Sequence, residues 1–312
     1  MMEGSREFRL LESNPTDSPL ALQEFILDPL LSGIGARRYA QPAQQFELAT
    51  ACLQHCSLCV RALAAAPEVA GNGATPPGST VLARMLSPTS RLLRDVLTHV
   101  GGATPEMTQL AVDALAAHVH NDSMPDGTGA AAEAAVVALF ELLVAVFDAD
   151  TAWVEAQRRH QHGMEPLHTL LLATPAVAVQ LVQFVGYSRS ASIQAGAVRT
   201  LGALTARCAD FTHMVLQLPG IAKKLVYDCA RCLDEGLLAP AATSSYTLAD
   251  SGEGDDGGSG GGASAAELLL QVLLDNALGD FPNFTQLALG YAVQQARPLY
   301  CARNAIPVLM LG

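Results

Sequence analysis

From Phe46 onward the apolar residues recur three and four apart, through Ala49, Leu53, Cys56, Val60 and Leu63. That spacing lays one continuous stripe along an α-helix of 3.6 residues per turn. Pro42 stands at the start of this helix, where its missing N–H costs nothing because first-turn amides have no intrahelical acceptor. Thr104-Pro105-Glu106 and Thr174-Pro175 use one device, a threonine hydroxyl able to cap free amides and a proline that fixes the first turn. Ser87-Pro88 opens another helix in a similar way. Read along the chain, the pattern predicts helices over 20–31, 42–65, 79–86, 88–100, 105–120, 129–147, 150–161, 164–173, 175–187, 190–208, 211–217, 220–235, 265–279 and 282–296.

Several of these helices are apolar on more than one face. Between Ala134 and Phe147 the residues Val136, Val137, Leu139, Phe140, Leu142, Leu143, Val144 and Val146 leave little polar surface, so the helix needs neighbours on both sides. No stretch of useful length alternates with the period of two that a strand requires, and strict ankyrin or tetratricopeptide repeats are absent. The expected fold is all-α: an irregular α-solenoid of stacked antiparallel helix pairs, of the HEAT or armadillo kind, with essentially no sheet.

Two stretches interrupt the periodicity. Ala64 to Gly78 is a Pro/Gly connector, and Pro240 to Ser264 contains the run Gly252-Glu253-Gly254-Asp255-Asp256-Gly257-Gly258-Ser259-Gly260-Gly261-Gly262. Such a composition cannot bury enough apolar surface to offset its ordering entropy, and disorder is expected for it. The expected organisation is a flexible N-terminus over 1–19, a helical solenoid over 20–239, an inserted Gly/Asp-rich loop over 240–264, and a continuation of the solenoid over 265–312. The opening helix (Leu22, Phe25, Ile26, Leu30, Leu31) and the stretch Leu299 to Leu311 lack a polar outer side, which points to an internal part of a longer array.

Composition sharpens this. Half of the 312 residues are hydrophobic, dominated by Ala and Leu, and aromatics make up 5%. That balance favours helix over strand. Charged residues are 15%, below the roughly 25% of ordinary soluble domains, as for a surface that neighbours or partners cover. The net charge is −12, and the basic runs are only the dipeptides Arg37-Arg38, Arg158-Arg159 and Lys223-Lys224. Direct nucleic-acid binding and adsorption to anionic membranes are therefore not expected. The N-terminal segment has no hydrophobic signal core. The most membrane-like run, Ala130 to Phe147, carries Glu133 and Glu141 and falls short of about 20 uninterrupted apolar residues, which favours a buried helix over membrane insertion. Seven cysteines, mostly within helical patterns, read as reduced thiols of a cytosolic or nuclear protein.

Candidate chemistry is sparse. Gly252-x-Gly254-x-x-Gly257 spells a dinucleotide fingerprint and Gly257-x-Ser259-x-Gly261 a nucleophile elbow, but neither follows a strand. Asp250, Asp255 and Asp256 would also repel a phosphate. Cys56-x-x-Cys59 and Cys229-x-x-Cys232 have zinc-ligand spacing, yet each pair lies mid-helix rather than on a tight turn, and Cys52, Cys56 and Cys59 share one helix face as small hydrophobes do. His118-x-His120, His160-x-His162 and His168 lack the i, i+4 spacing of a helical ligand pair and read as helix-end or loop residues. Glu47, Glu133 and Glu141 are single carboxylates. The expectation is no catalytic, cofactor-binding or metal-ligating residue, no cofactor and no small-molecule substrate: not an enzyme.

A resemblance points further. Arg37-Arg38-Tyr39 leading into Gln45-Phe46-Glu47-Leu48-Ala49 and Leu53 resembles the basic-Tyr segment and following helix of the large inner-ring scaffold nucleoporins, with Phe46 where that family commonly has Trp. Pro76-Pro77-Gly78 followed by Leu82, Met85-Leu86 and Ser90 is similar to their Pro-Pro-Gly segment and short Leu-rich helix. Phe184-Val185-Gly186-Tyr187 with Ile193, Ala197, Leu201 and Leu204 resembles their Tyr-centred loop and Ala/Leu helix. Cys232-Leu233-Asp234, then Pro282-Asn283-Phe284 with Leu287-Ala288-Leu289-Gly290, continue the order. The match runs collinearly over most of residues 20–292 and is closest to the two-hundred-and-five-kilodalton type and its fungal counterpart, in the N-terminal solenoid; the 240–264 insertion is unusual for it. The resemblance implies a structural scaffold at the nuclear pore complex of the nuclear envelope, bound to other inner-ring and linker nucleoporins and serving nucleocytoplasmic transport of protein and mRNA. The competing reading is a soluble HEAT-repeat transport receptor or adaptor, whose helix pairs recur more regularly, at about 40–47 residues.

Overall fold

The structure, a computed structural model, describes residues 19–65, 77–102, 115, 127–157, 163–238, 263–279, 282–292 and 297–298. The expected helix over 105–120 apart from Leu115, the insertion as far as Gly262, the glycine motifs within it, the segment 299–311, and His118, His120, His160 and His162 lie outside these residues. What is described is all-helical but for one two-residue antiparallel pairing. The chain forms two compact units, one built from the described residues up to Leu170 and the other from those beginning at Leu171.

In the first unit, α1 (Pro19–Phe25) runs into a π-helical turn over Ile26–Leu31 that contains Pro29. Proline has no N–H to give the i−4 carbonyl, and the turn widens around it, closing with Ser32 N–H on the Leu27 carbonyl at 3.2 Å. Arg37 Nη2 then donates to the Pro29 carbonyl at 2.7 Å, which anchors the basic segment ahead of α2 (Pro42–Ala65). The predicted stripe on α2 is the buried one: Phe46, Ala49, Leu53, Cys56 and Val60 all face inward. The helix begins at Pro42, as expected.

The next elements are α3 (Pro77–Met85), α4 (Leu92–His99) and α5 (Thr128–Gln157). Gly78 lies so close to the Cys59 carbonyl of α2 that a Cβ there would overlap it, a physical reason for glycine after the prolines. Ser87-Pro88 does not start a helix. The Ser90 N–H closes a turn on the Ser87 carbonyl at 3.1 Å, and the Ser90 hydroxyl accepts from Leu92 N–H, so α4 begins four residues later than predicted. The predicted 129–147 and the described part of 150–161, up to Gln157, are one helix, because no glycine or proline intervenes between Phe147 and Asp150. Along α5, Ala135, Val136, Leu139, Phe140, Leu142, Leu143, Val146 and Phe147 are buried, which covers more than one face. Helices α2 and α5 pack along each other. Both are long and apolar enough to cross a membrane by length and composition, and most of that window of α5 is buried inside the protein, as in a core helix. Asp150, fully buried, accepts at 2.8 Å from the N–H of Leu167, the first residue of α6 (Leu167–Leu172).

The second unit contains α7 (Pro175–Val182) with a 3-10 turn over Gln183–Gly186, α8 (Ala191–Arg207), α9 (Phe211–Leu216), α10 (Pro219–Leu238), α11 (Ala265–Ala277) and α12 (Phe284–Ala288). Pro175 is the first residue of α7, but the Thr174 side chain makes no capping bond, contrary to expectation; its carbonyl takes the Val177 N–H instead. Side-chain caps are supplied by Ser190 to Ile193 N–H, and by two reciprocal boxes, Ser264 with Glu267 and Asn283 with Gln286. The core gathers Ile193, Ala197, Leu201 and Leu204 of α8, Leu225 and Cys229 of α10, Leu269 of α11, and Phe211 against Phe284 at 6.5 Å. The predicted helix over 282–296 stops at Ala288: Gly290 takes a left-handed φ of 77°, and Tyr291–Ala292 pair antiparallel with Arg297–Pro298.

Candidate functional site

Three places in the described residues carry enough polar or exposed apolar chemistry to be candidates. The first is the cysteine face of α2. Cys52 and Cys56 are buried, and burial pushes their thiols up to about 11 and about 12; for Cys56 the neighbouring Cys52 and Cys59 add to the rise. Protonated at neutral pH, both behave as small core hydrophobes. Cys59, one turn on, is half-exposed, its thiol raised by burial, and lies 3.5 Å from His55 Nε2. Gln23 reaches this pair from α1: its Oε1 is 3.2 Å from His55 Nε2 and accepts from the Cys59 thiol at 3.5 Å.

The second is the 3-10 turn of the second unit. Asp228, on α10 and nearly fully buried, accepts from Lys224 Nζ at 2.5 Å and sits flush against Gly186. Arg231 Nη2 donates to the Gly186 carbonyl, and Gln194 Nε2 donates to the Val185 carbonyl at 3.0 Å. Phe184 and Tyr187 close the turn edge to face at 6.2 Å. The cluster fixes a loop between helices, with Phe184 and Tyr187 both buried. Flanking it, Cys229 and Cys232 are buried in α10, the Cys229 thiol pushed far up by burial and the Cys232 thiol to about 11. Packing explains this pair.

The third is a row of leucines. Leu269 and Val272 form the buried face of α11, while Leu270, Leu274 and Leu278, spaced four apart, are 43%, 67% and 98% exposed. Tyr227 and Leu289 are further large exposed apolar side chains of this unit, and Leu22 and Leu58 are those of the first. The runs Leu268-Leu269-Leu270 and Leu273-Leu274 put apolar residues on two faces of α11, but only packing shows which one is covered.

Among the described residues, no three His, Cys, Asp or Glu side chains converge in a way that could hold a metal ion. Glu47 and Glu141 are exposed and Glu133 is half-buried, on α2 and α5. His168 lies in the first turn of α6, at a helix end as expected. His55 was missed in the sequence, although His55-x-x-x-Cys59 has the i, i+4 spacing that puts both side chains on one helix face; nothing in the sequence marks Gln23 as their partner. The chain matches no protein-family model and no curated protein sequence.

Proposed function

We propose that this chain is part of an α-solenoid scaffold in the inner ring of the nuclear pore complex, of the large scaffold nucleoporin kind, holding short segments of linker nucleoporins and supporting nucleocytoplasmic transport of protein and mRNA. It acts by binding, with no catalytic step. The observation that carries the reading is the ordered set of landmarks that resemble that family, each at a position with a packing job. Arg37 anchors the entry to α2, Gly78 admits α3 against α2, Phe184 to Tyr187 form the turn before α8, and Asn283 caps α12. The exposed row Leu270, Leu274 and Leu278 adds a surface on which an apolar helix face can bury itself. The low charged fraction fits a protein whose surface is partly covered by partners.

The test is affinity capture from nuclear extract on the immobilised full chain, with mass spectrometry of the bound fraction and imaging of a fluorescent fusion. Inner-ring linker nucleoporins in the bound fraction and a punctate nuclear rim are the expected result. Capture that depends on a GTP-loaded small GTPase would replace this reading with the soluble transport receptor. A diffuse signal with no nucleoporin bound would refute both.

A further inference from the structure

Leu270 and Leu274 of α11 and Leu278 at its C-cap recur every four residues, which at 1.5 Å per residue draws a ridge about 12 Å long. Side chains four apart are the ridge that seats in the groove of a second helix crossing the first. Packing inside the unit uses other faces of α11. Gly202 of α8 lies against Val272, Asn276 Nδ2 donates to Thr205 Oγ1 at 3.1 Å, and Gly236 of α10 lies against Ala266. The ridge itself stays in water.

Charge says what suits it. Glu267 stands on the same face, three residues before Leu270, and Asp275 follows Leu274; both are exposed. Each carboxylate is oriented by one bond, Glu267 accepting the Ser264 N–H at 2.7 Å and Asp275 the Gln271 amide at 2.6 Å, which leaves lone pairs turned to solvent. Asp234 and Glu235 are exposed near Gly236, at the end of α10 that meets α11. From Cys232 to Ala296 the sequence holds nine acidic residues and no Lys, Arg or His. The cations of the flanking helices lie elsewhere. Arg199 and Arg207 belong to α8, which packs on the Val272 and Asn276 side, across α11 from the row. Lys223, Lys224 and Arg231 precede Cys232 on α10; Lys224 is held by Asp228, and Arg231 by the Gly186 carbonyl and Glu235.

A second copy of the chain would set acidic residues against acidic residues, and an anionic membrane would be repelled in the same way. We propose that the ridge of α11 docks an amphipathic helix of a partner protein, one whose apolar face is bordered by lysine and arginine. Burial of the leucines supplies the affinity, while the carboxylates select the sign of the partner and speed encounter. The inference deepens the scaffold reading by naming the chemistry of the bound segment, and its test involves no nucleoporin, so each can fail alone.

The probes are two fluorescein-labelled peptides of about 18 residues, long enough to turn helical on a surface, with leucines three and four apart. One carries lysine at the polar positions and the other glutamate. Fluorescence anisotropy with the full chain is expected to show the lysine peptide binding at least about tenfold more tightly at low salt, with the gap shrinking to about threefold or less near 1 M salt, where screening acts within about 3 Å. Glu267→Gln with Asp275→Asn keeps the cap and the Gln271 acceptor, and is expected to weaken the lysine peptide about threefold to tenfold. Leu274→Glu with Leu278→Glu separates docking from bulk charge attraction. It adds negative charge, so mere attraction would hold or strengthen, whereas docking on the ridge is expected to weaken at least tenfold. Circular dichroism checks that each variant keeps its helices. Equal binding of the two peptides, no binding of either, or lysine-peptide binding that survives the double leucine replacement in a folded chain overturns the proposal.

Discussion

Replacing Gly186 by alanine puts a single methyl group against the buried carboxylate of Asp228. A Cβ built at Gly186 falls 2.5 Å from Asp228 Cγ and 2.6 and 2.8 Å from its two oxygens. Ordinary contact begins near 3.4 Å, so the carboxylate must retreat by more than half an ångström. It cannot do so freely, because Lys224 Nζ holds it at 2.5 Å and only 2% of the residue is exposed. Overpacking of this kind costs about 1–3 kcal/mol, and a displaced ion pair adds to it, giving an expected loss of about 2–4 kcal/mol. The Arg231 bond to the Gly186 carbonyl is disturbed by the same movement. The assay is urea denaturation followed by circular dichroism, where a slope of about 2 kcal/mol per M makes a 3 kcal/mol loss a midpoint shift of about 1.5 M. Asp228→Ala supplies the decisive control: with the carboxylate gone the new methyl has room, and Gly186→Ala in that background is expected to cost less than about 1 kcal/mol. An equal cost in both backgrounds would show that the clash with Asp228 is not what makes glycine necessary, and the packing account of this turn would fail.

Asp150→Ala is expected to cost about 1–3 kcal/mol in the same assay, since it strips the partner from the Leu167 N–H at the start of α6; Asp150→Asn, which keeps an acceptor, is expected to cost less. Alkaline pH is expected to destabilise the chain through its buried thiols. Burial raises Cys52 to about 11 and Cys56 to about 12 from an ordinary 9.0, so their contribution is intact below about pH 9 and is lost as pH rises through 11 and 12; Cys56→Ala is expected to flatten the fall of the urea midpoint over that range. Leu274→Glu with Leu278→Glu is expected to leave the midpoint within about 0.5 kcal/mol of wild type, since both side chains are exposed, while abolishing any capture of linker nucleoporins that the proposed function calls for; a large loss of stability would show instead that the row is core.

Much of the fold was legible because one period dominates the chain. The stripe from Phe46 to Val60, the inward faces of α8 and α10, and the many-sided burial of α5 follow from residues spaced three and four apart, and the structure buries those residues. Errors fell where punctuation was read without its context. Pro88 looked like a helix start, but the turn from Ser87 to Ser90 uses that proline before α4 begins. The stretch after Ala288 looked helical until Gly290 adopted a left-handed φ. A break was expected between 147 and 150, yet Asp150 stays helical and turns its carboxylate to the next helix. The clusters were less legible for a different reason. Gln23 and His55 are 32 positions apart, as Gly186 and Arg231 are 45 apart, and no local period connects residues that meet only through packing.

The same contrast bears on the proposed binding role. Three of the buried polar side chains are spent on structure: Asp150 on α6, Asp228 on the turn before α8, and Gln194 on the Val185 carbonyl. The exposed leucines are a separate resource. Leu278, 98% exposed, and Leu274, 67% exposed, remain in water one turn apart, and every such leucine gains about 1.5–3 kcal/mol when a partner fully covers it. On the proposed scaffold reading, this row of leucines is the surface on which a partner helix would bury itself.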